Sequence, residues 1–591
     1  MKVGESIIRL LSEALADSSL VQSFSGVRTS FGSGPGISDA QEALAIAYGF
    51  AYSRHVLEGT TRGTLLIGRD PRPTGEAIAS ALICGFLAGA VSTGSRLRIL
   101  NLDIITTPIL ETAVRVLKAS GGVMITASHN PLTDNGFKFL TGVRMTDSRN
   151  APPGALLSAY TMAAIVKQVR KIADGDVGDF LTSLNKIDEK SIAQVVINDS
   201  FHRVRAERGY LDAMGKEWGI IPHCLKPLTL GPALLDPNGG AACGIGARVL
   251  EHFGVRAIEE NAEIGYPEHS IDTDGIDPAS GRHMLLRISR AAQRRNARFG
   301  IAFDYDADRG NIVLPGNDED AIIHPQKVAA MNIALVLAHR ESSGKHGGKL
   351  AVVVSDATSG ISEKVARIFG AEVFMVETGE INVVTKMHQL RRNGYDVPVG
   401  VEGPNGGTIF GESTCRDGLQ TALCAALGDE EPKLAEQLRW ALARNGFTPP
   451  SGKLRLPGIL ATLPQHFNRM LRMEGPALPH GEIKARMEDL FVRKVWPLLS
   501  TSYRSYRFVN FEGTDQVEKR TGDETGGWRI ELEDSSDKAF IFARGSRTES
   551  GIWRLIVDDP DAARGAILLN AAANLMRMAF GEDCKTDKQE F

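Results

Sequence analysis

Cysteine is scarce, with six in 591 residues. Cys84, Cys224, Cys243, Cys415, Cys424 and Cys584 form no C-x-x-C pair. That argues against a disulfide framework and for reduced thiols in the cytoplasm. A basic excess is also missing. Lys and Arg number 67 against 71 Asp and Glu, for a formal net charge of −4. No duplex nucleic-acid surface is expected, although a locally basic pocket for a small anion remains open. No apolar run is long enough to span a bilayer, so no membrane partner is expected. Near the N-terminus Glu5 and Glu13 interrupt Ile7, Ile8, Leu10, Leu11 and Leu15. This is the pattern of an amphipathic helix, not of a signal peptide.

What remains is an ordinary globular composition, 43% hydrophobic and 23% charged. At roughly 100–200 residues per domain the length predicts three to five domains. Short β-branched runs alternate with helical stretches, the α/β signature. Strands are expected at 64–68, 97–100 and 122–125, with a helix from about Thr74, its N-cap, to Ala90. Residues 151–218 read as helical and polar, with no chemical motif. A second α/β stretch starts near Ala233 and closes with the strand Phe299–Phe303, and a third runs from about Ala321 to Leu427. Gly428-Asp429-Glu430-Glu431-Pro432 reads as a linker. Beyond it come helices, then strands at 529–532, 539–542 and 553–557 and a helix over 561–580, an α+β domain. The boundaries predicted are 1–195, 196–315, 316–430 and 431–591. The first three stretches are similar in size, which points to a repeated unit, although no strong residue-level repeat accompanies it.

Four motifs carry chemistry. In Thr126-Ala127-Ser128-His129-Asn130-Pro131, Ser128 opens a loop after a strand, at the edge where α/β sheets bind ligands. His129 adjoins it and Lys138 follows, so Ser128 is a candidate nucleophile. The flanking Thr126 and Asn130 rule out the G-x-S-x-G elbow of a serine hydrolase. In Asp304-Tyr305-Asp306-Ala307-Asp308-Arg309, again after a strand, alternate carboxylates repel one another unless a cation sits among them. Oxygen ligands suit Mg²⁺ or Ca²⁺. An EF-hand is excluded, since Arg309 stands at the required glycine and Pro315 at the required glutamate. Arg309 would help to neutralise a phosphate. The Gly-rich run Glu402 to Gly407 offers a carboxylate and the Asn405 amide to sugar hydroxyls, or is a plain turn. Arg544-Gly545-Ser546-Arg547-Thr548 forms an oxyanion cradle or a basic surface turn. Ser25-Gly26-Val27-Arg28 places an arginine for a phosphate, and Gly68-Arg69-Asp70-Pro71-Arg72-Pro73 reads as a turn with internal ion pairs.

Together, and in this order, these motifs resemble the α-D-phosphohexomutase superfamily of phosphoglucomutases, phosphomannomutases and phosphoglucosamine mutases, over nearly the whole chain. The resemblance implies three α/β domains with mixed sheets and a TBP-like α+β fourth domain. It implies a phosphoserine at Ser128 and interconversion of hexose 1- and 6-phosphates through a hexose 1,6-bisphosphate. Mg²⁺ would be held by Asp304, Asp306, Asp308 and the Ser128 phosphate. Lys138 would be the general acid/base, with His129, Arg28 and Arg309 supporting the transferred group. Glu402 and Asn405 would take the sugar. Arg544, Ser546, Arg547 and Thr548 would hold the other phosphate. Three positions depart from the pattern: Asn405 in a lengthened loop usually reading Glu-x-Ser-Gly, Arg547 for the cradle glycine, and Thr29 for a glycine. Glucose and mannose phosphates are the first expectation and glucosamine or N-acetylglucosamine phosphates the alternative. A non-catalytic sugar-phosphate-binding paralogue is the contrasting class. A monomer or small homo-oligomer is expected.

Overall fold

The computed structural model describes residues 3–23, 25–145, 151–220, 230–272, 275–277, 280–344, 348–449, 451–518, 526–534, 537–546, 551–581 and 587–589. The chain divides into two compact units. One comprises Met1–Thr273, Arg287–Asn317 and Glu412–Leu423, and the other Asp274–Leu286, Asp318–Gly411 and Cys424–Phe591.

The first unit holds two mixed sheets. In the first, the strand Arg62–Arg69 lies parallel to Arg96–Ile104 on one side and to Gly121–Ile125 on the other. Gly121–Ile125 then pairs antiparallel with Asp134–Thr141. Gly26–Ser30, Val21–Ser23 and Val196–Ile197 extend the edges. Its core is closed by the helices Asp39–Leu57 and Gly75–Thr93. Ser38 and Gln41 form a reciprocal capping box that starts the first helix. The two backbones approach closely at Gly85, where an added Cβ would stand 2.2 Å from the Ile46 carbonyl oxygen. Gly75–Thr93 has the length and composition of a membrane span, where the sequence predicts none, but most of it is buried inside the fold. A core helix packed on both sides is apolar all round for the same reason as a lipid-facing one. Thr74 precedes this helix as expected, yet makes no capping bond. Its hydroxyl instead accepts from Asn135 Nδ2 at 2.9 Å.

The second sheet repeats the arrangement. Leu230–Asp236 is parallel to Val255–Glu259 and to Phe299–Phe303, and the latter is antiparallel to Gly310–Val313. In the second unit Lys349–Ser355 is parallel to Glu372–Val376 and Tyr395–Glu402, and the latter is antiparallel to Gly407–Phe410. All three sheets thus contain one motif, strand order 2-1-3-4 with only the fourth strand reversed. The repeat resides in topology, because the connecting sequences share no pattern. Each chemistry-bearing loop, at Ser128, Asp304 and Glu402, leaves the carboxyl end of a third strand.

The C-terminal sheet is antiparallel and seven-stranded, with the helices His480–Leu490 and Ala562–Phe580 against it. This is the α+β architecture expected. It includes Phe467–Glu474, which pairs along its length with Ile552–Asp559 in a stretch the sequence reads as helical. The supposed linker at 428–432 is not one. The helix Gly418–Glu430 runs through it, and Pro432 opens the helix Pro432–Arg444. Gly428 abuts Leu335, and Asp429 binds Arg455 at 3.2 Å and caps Leu456 N at 2.9 Å. Glycine, acids and proline mark a helix junction as readily as a loop.

Candidate active site

The serine loop is held in place by a buried arginine. Arg72 pairs with Asp70 at 3.2 Å and donates to the carbonyls of Ser128 (2.8 Å), Asn130 (2.7 Å) and Asp134 (2.8 Å). Its guanidinium lies 5.3 Å from the centre of the Tyr305 ring. The expected turn with internal ion pairs is present, and it also braces the loop. Ser128 itself is buried, with φ of 54°. A non-glycine residue in the left-handed region is costly, and such strain is kept where surrounding contacts over-determine it. Here Thr126 Oγ1 accepts from Ser128 N at 2.8 Å, and Ser128 Oγ donates to Asp304 Oδ2 at 2.6 Å.

Asp304, Asp306 and Asp308 are all buried, and each offers an oxygen within 4.8 Å of the others. Asp306 Oδ2 accepts from Lys138 Nζ at 2.9 Å and Thr107 Oγ1 at 2.8 Å. Asp308 Oδ2 accepts from Arg416 at 2.7 Å and Lys138 at 3.4 Å. On both residues Oδ1 is buried with no hydrogen-bond partner among the described residues. Burial, then the charges of Asp308 and Asp306, push the Asp304 carboxyl well above its ordinary range. Burial acts in the same sense on Asp308, but Arg416, Lys138 and Arg309 outweigh it and hold that carboxyl low. Unpaired, inward-facing carboxylate oxygens are costly in a dry site. An oxygen-loving divalent cation satisfies them, so the donor set fits the Mg²⁺ expected.

The predicted cations gather around this centre. Arg309 lies 3.8 Å from Asp304 and 3.7 Å from Asp308, and its Nη2 donates to His129 Nδ1 at 3.0 Å. A guanidinium only donates, so His129 accepts through Nδ1 and is neutral in this arrangement. Arg28 feels Asp306 and Asp308, and its Nε is buried with no hydrogen-bond partner among the described residues. Burial is the main influence on it and lowers its pKa. Sequence reasoning misses Arg416 and Thr107. The only local signal for Arg416 is its place before Asp417-Gly418, a helix start, because Asp308 is remote in sequence.

The other predicted residues lie in the second unit. Glu402 is buried at the end of its strand. Asn405 Oδ1 accepts from Gly407 N at 2.9 Å, closing the turn, which leaves the Nδ2 amide as the group that can meet a ligand. Arg544 is the last residue but one of the strand Lys538–Gly545, and its Nε is buried with no hydrogen-bond partner among the described residues. It acts on Asp356, which burial pushes up to about 6 against the pull of the Thr378 hydrogen bond and Arg544. Ser546 N donates to the Ile552 carbonyl at 2.6 Å. Arg547 and Thr548 lie outside the described residues.

With this geometry in view, two family models match: phosphoglucomutase/phosphomannomutase alpha/beta/alpha domain I over residues 21–150, and domain III of the same family over 330–441. These two segments of the chain are thus similar to domains I and III of the phosphoglucomutase/phosphomannomutase family. A phosphoglucosamine mutase of Nocardia farcinica is 28% identical over 71% of this chain and 80% of its own length. A phosphoglucomutase/phosphomannomutase of Thermococcus kodakarensis is 27% identical over 64% and 70%. Among solved structures, a phosphoglucomutase/phosphomannomutase family protein of Burkholderia thailandensis has a TM-score of 0.64 at 16% identity, covering 97% of this chain and 100% of that one. The open form of the Paramecium phosphoglucomutase parafusin has a TM-score of 0.61 at 16% identity, covering 96% and 97%. Identity this low speaks for a shared fold, and the multidomain α/β architecture agrees with it.

Proposed function

We propose that this chain belongs to the α-D-phosphohexomutase superfamily and moves a phosphoryl group between the 1- and 6-positions of a hexose, with Ser128 as the phosphate carrier. The observation that carries the reading is the strained, buried Ser128, whose Oγ is 2.6 Å from Asp304 in a cluster of three carboxylates ringed by cations. Phosphoryl transfer needs chiefly positioning and charge stabilisation. Lys138, Arg28, Arg309 and Arg416 outnumber the three aspartates, a balance that suits a phosphate dianion together with a divalent cation. Asp304, Asp306 and Asp308 would hold Mg²⁺, which when bound neutralises developing charge on the phosphoryl oxygens.

In this reading phosphoserine 128 gives its phosphoryl group to a hexose phosphate, and the Oγ–P bond breaks as the sugar O–P bond forms. The resulting hexose 1,6-bisphosphate turns over and returns its other phosphate to Ser128. The proton lost by the sugar hydroxyl is balanced by one taken up at Ser128 Oγ, whose O–H then donates to Asp304 Oδ2, and the reverse exchange accompanies the return of phosphate to Ser128. Lys138, with hydrogen bonds to two carboxylates, is the proton-handling candidate toward the sugar hydroxyl. Glu402 and the Asn405 amide take sugar hydroxyls. Arg544, Ser546, Arg547 and Thr548 grip the phosphate that is not reacting. Glucose and mannose phosphates are the first reading for the sugar. Glucosamine phosphate is the second, favoured by the identity with the Nocardia enzyme. The enzyme would act in the cytoplasm.

The test is turnover on the 1-phosphates of glucose, mannose, glucosamine and N-acetylglucosamine, each primed with hexose 1,6-bisphosphate and Mg²⁺. Conversion of at least one to the 6-phosphate, stopped by EDTA, is expected. No conversion of any, or full activity in excess EDTA, contradicts the reading.

A further inference from the structure

The helix Ser200–Glu217 lies in the polar stretch that carries no motif, yet it reaches the aspartate cluster in two steps. Tyr210 on this helix is buried, and its hydroxyl stands 2.9 Å from both oxygens of Asp417. Asp417 is also buried and accepts from Gln420 N and Gln420 Nε2, each at 2.9 Å. The residues on either side of Asp417 both touch the aspartate loop. Arg416 Nη2 donates to Asp308 Oδ2 at 2.7 Å, and Gly418 N donates to the Ala307 carbonyl at 3.3 Å. Arg115 adds a third tether to the segment, donating to Thr414 Oγ1 at 2.8 Å. All these residues belong to the first unit, although the sugar loop just before them belongs to the second.

We infer that Tyr210, acting through Asp417, is a positioning residue for Arg416 and so for the cation-facing carboxylate of Asp308. The Asp308 carboxylate is divided in function. Oδ2 is tied by Arg416 and Lys138, while Oδ1 has no hydrogen bond among the described residues and lies 3.7 Å from Arg309 Nε, which leaves it able to meet a ligand. The direction of Oδ1 is therefore set by where the Arg416 guanidinium stands. Arg416 is fixed at its neighbour, because each Asp417 oxygen has donors on the helix it begins and from Tyr210. Burial pushes the Asp417 carboxyl up to about 6 and the Tyr210 hydroxyl well above its usual range, so Tyr210 stays a donor throughout the working range. A tyrosine reaching in from a separate helix pins the segment in a way that the segment's own bonds do not. Groups that orient metal ligands from behind typically change metal affinity or activity 10- to 100-fold when lost, roughly.

This inference rests on the reading that the three aspartates hold a divalent cation. It is tested with Mn²⁺ titrated into the full-length protein, free ion being followed by electron paramagnetic resonance, which needs no turnover. Tyr210→Phe should weaken Mn²⁺ binding about tenfold. Arg416→Lys should weaken it by at least as much, and the double variant should lose no more than Arg416→Lys alone, since both act through one group. Met214→Ala empties a buried position on the same helix and should lower the thermal midpoint while leaving Mn²⁺ affinity unchanged. Wild-type affinity in Tyr210→Phe, multiplied losses in the double variant, equal weakening by Met214→Ala, or no Mn²⁺ binding by the unaltered protein would each overturn the inference. In turnover, Tyr210→Phe should lower kcat in parallel and leave KM for the sugar phosphate unchanged. A protein that binds Mn²⁺ as described but turns over no hexose phosphate defeats the mutase reading and leaves this one standing.

Discussion

The loops after the third strands of the second and third sheets occupy the same topological position and are built in opposite ways. The aspartate loop turns through Ala307, with φ of 58°, and packs three buried carboxylates, of which Asp306 and Asp308 each keep one oxygen without a hydrogen bond among the described residues. The sugar loop turns through Gly406, with φ of 65°, where glycine bears the left-handed conformation without strain. It carries one acid, Glu402, and Asn405 closes its turn on Gly407. One loop is left unsatisfied in a way that a cation and a phosphate relieve. The other closes its own turn and, in the proposed reading, would offer a few polar groups to a neutral ring. In the proposed reading, one scaffold would support a loop that sets rate and a loop that sets selectivity.

The comparison is most exposed at Asp306. Asp306→Asn should lower kcat on the order of a thousandfold, with KM for the sugar phosphate within about twofold, because it removes charge stabilisation made in the transition state. Steady-state kinetics checks this, and a change in KM alone would move Asp306 to the binding side.

The next effect concerns pH. In the first unit arginines and a lysine hold Asp308 low, whereas in the second burial raises Asp356 from 3.8 to about 6. Folded Asp356 therefore keeps a proton that the unfolded chain has released. Its contribution is full below pH 4, is lost as pH rises toward 6, and is flat above that. The fall is roughly 3 kcal/mol. Asp356→Asn should remove most of that slope in urea midpoints measured from pH 4 to 7, and an unchanged slope would deny the raised carboxyl.

Glu402→Gln should raise KM about tenfold and change kcat less, as expected for one hydrogen bond from a charged group. A kcat loss as large as that of Asp306→Asn would erase the division between the loops. The smallest effects are conformational. Gly406→Ala should cost about 1 kcal/mol, whereas Ala307→Gly should stabilise by about 0.5 kcal/mol, since only alanine is strained there. Thermal midpoints with the opposite order would show that contacts, not backbone angles, govern these turns.

Much of this was legible in the sequence because the chemistry is local. Ser128 with His129, and Asp304 with Asp306, Asp308 and Arg309, each sit on one short loop whose preceding strand is plain from its β-branched residues. Arg416 and Tyr210 were not legible. Their partners, Asp308 and Asp417, are joined to them only by the fold, and an isolated arginine or tyrosine has no spacing to read. The three-fold repeat was legible only as three α/β stretches of similar size, not as a residue pattern. It is a repeat of strand order, and strand order is set by pairing partners instead of by composition. The junction at 428–432 misled because Gly428 and Asp429 are chosen by contacts with Leu335 and Arg455 that no local window contains.

The central claim is that Ser128 carries the phosphate, and the most direct measurement is where label goes when the purified protein meets hexose 1,6-bisphosphate labelled in its phosphates. Peptide mapping by mass spectrometry should find one phosphate per chain on the peptide containing Ser128, removed by added hexose phosphate and absent in Ser128→Ala. Label on another residue, such as Ser546, or none at all with Mg²⁺ present, would contradict the account.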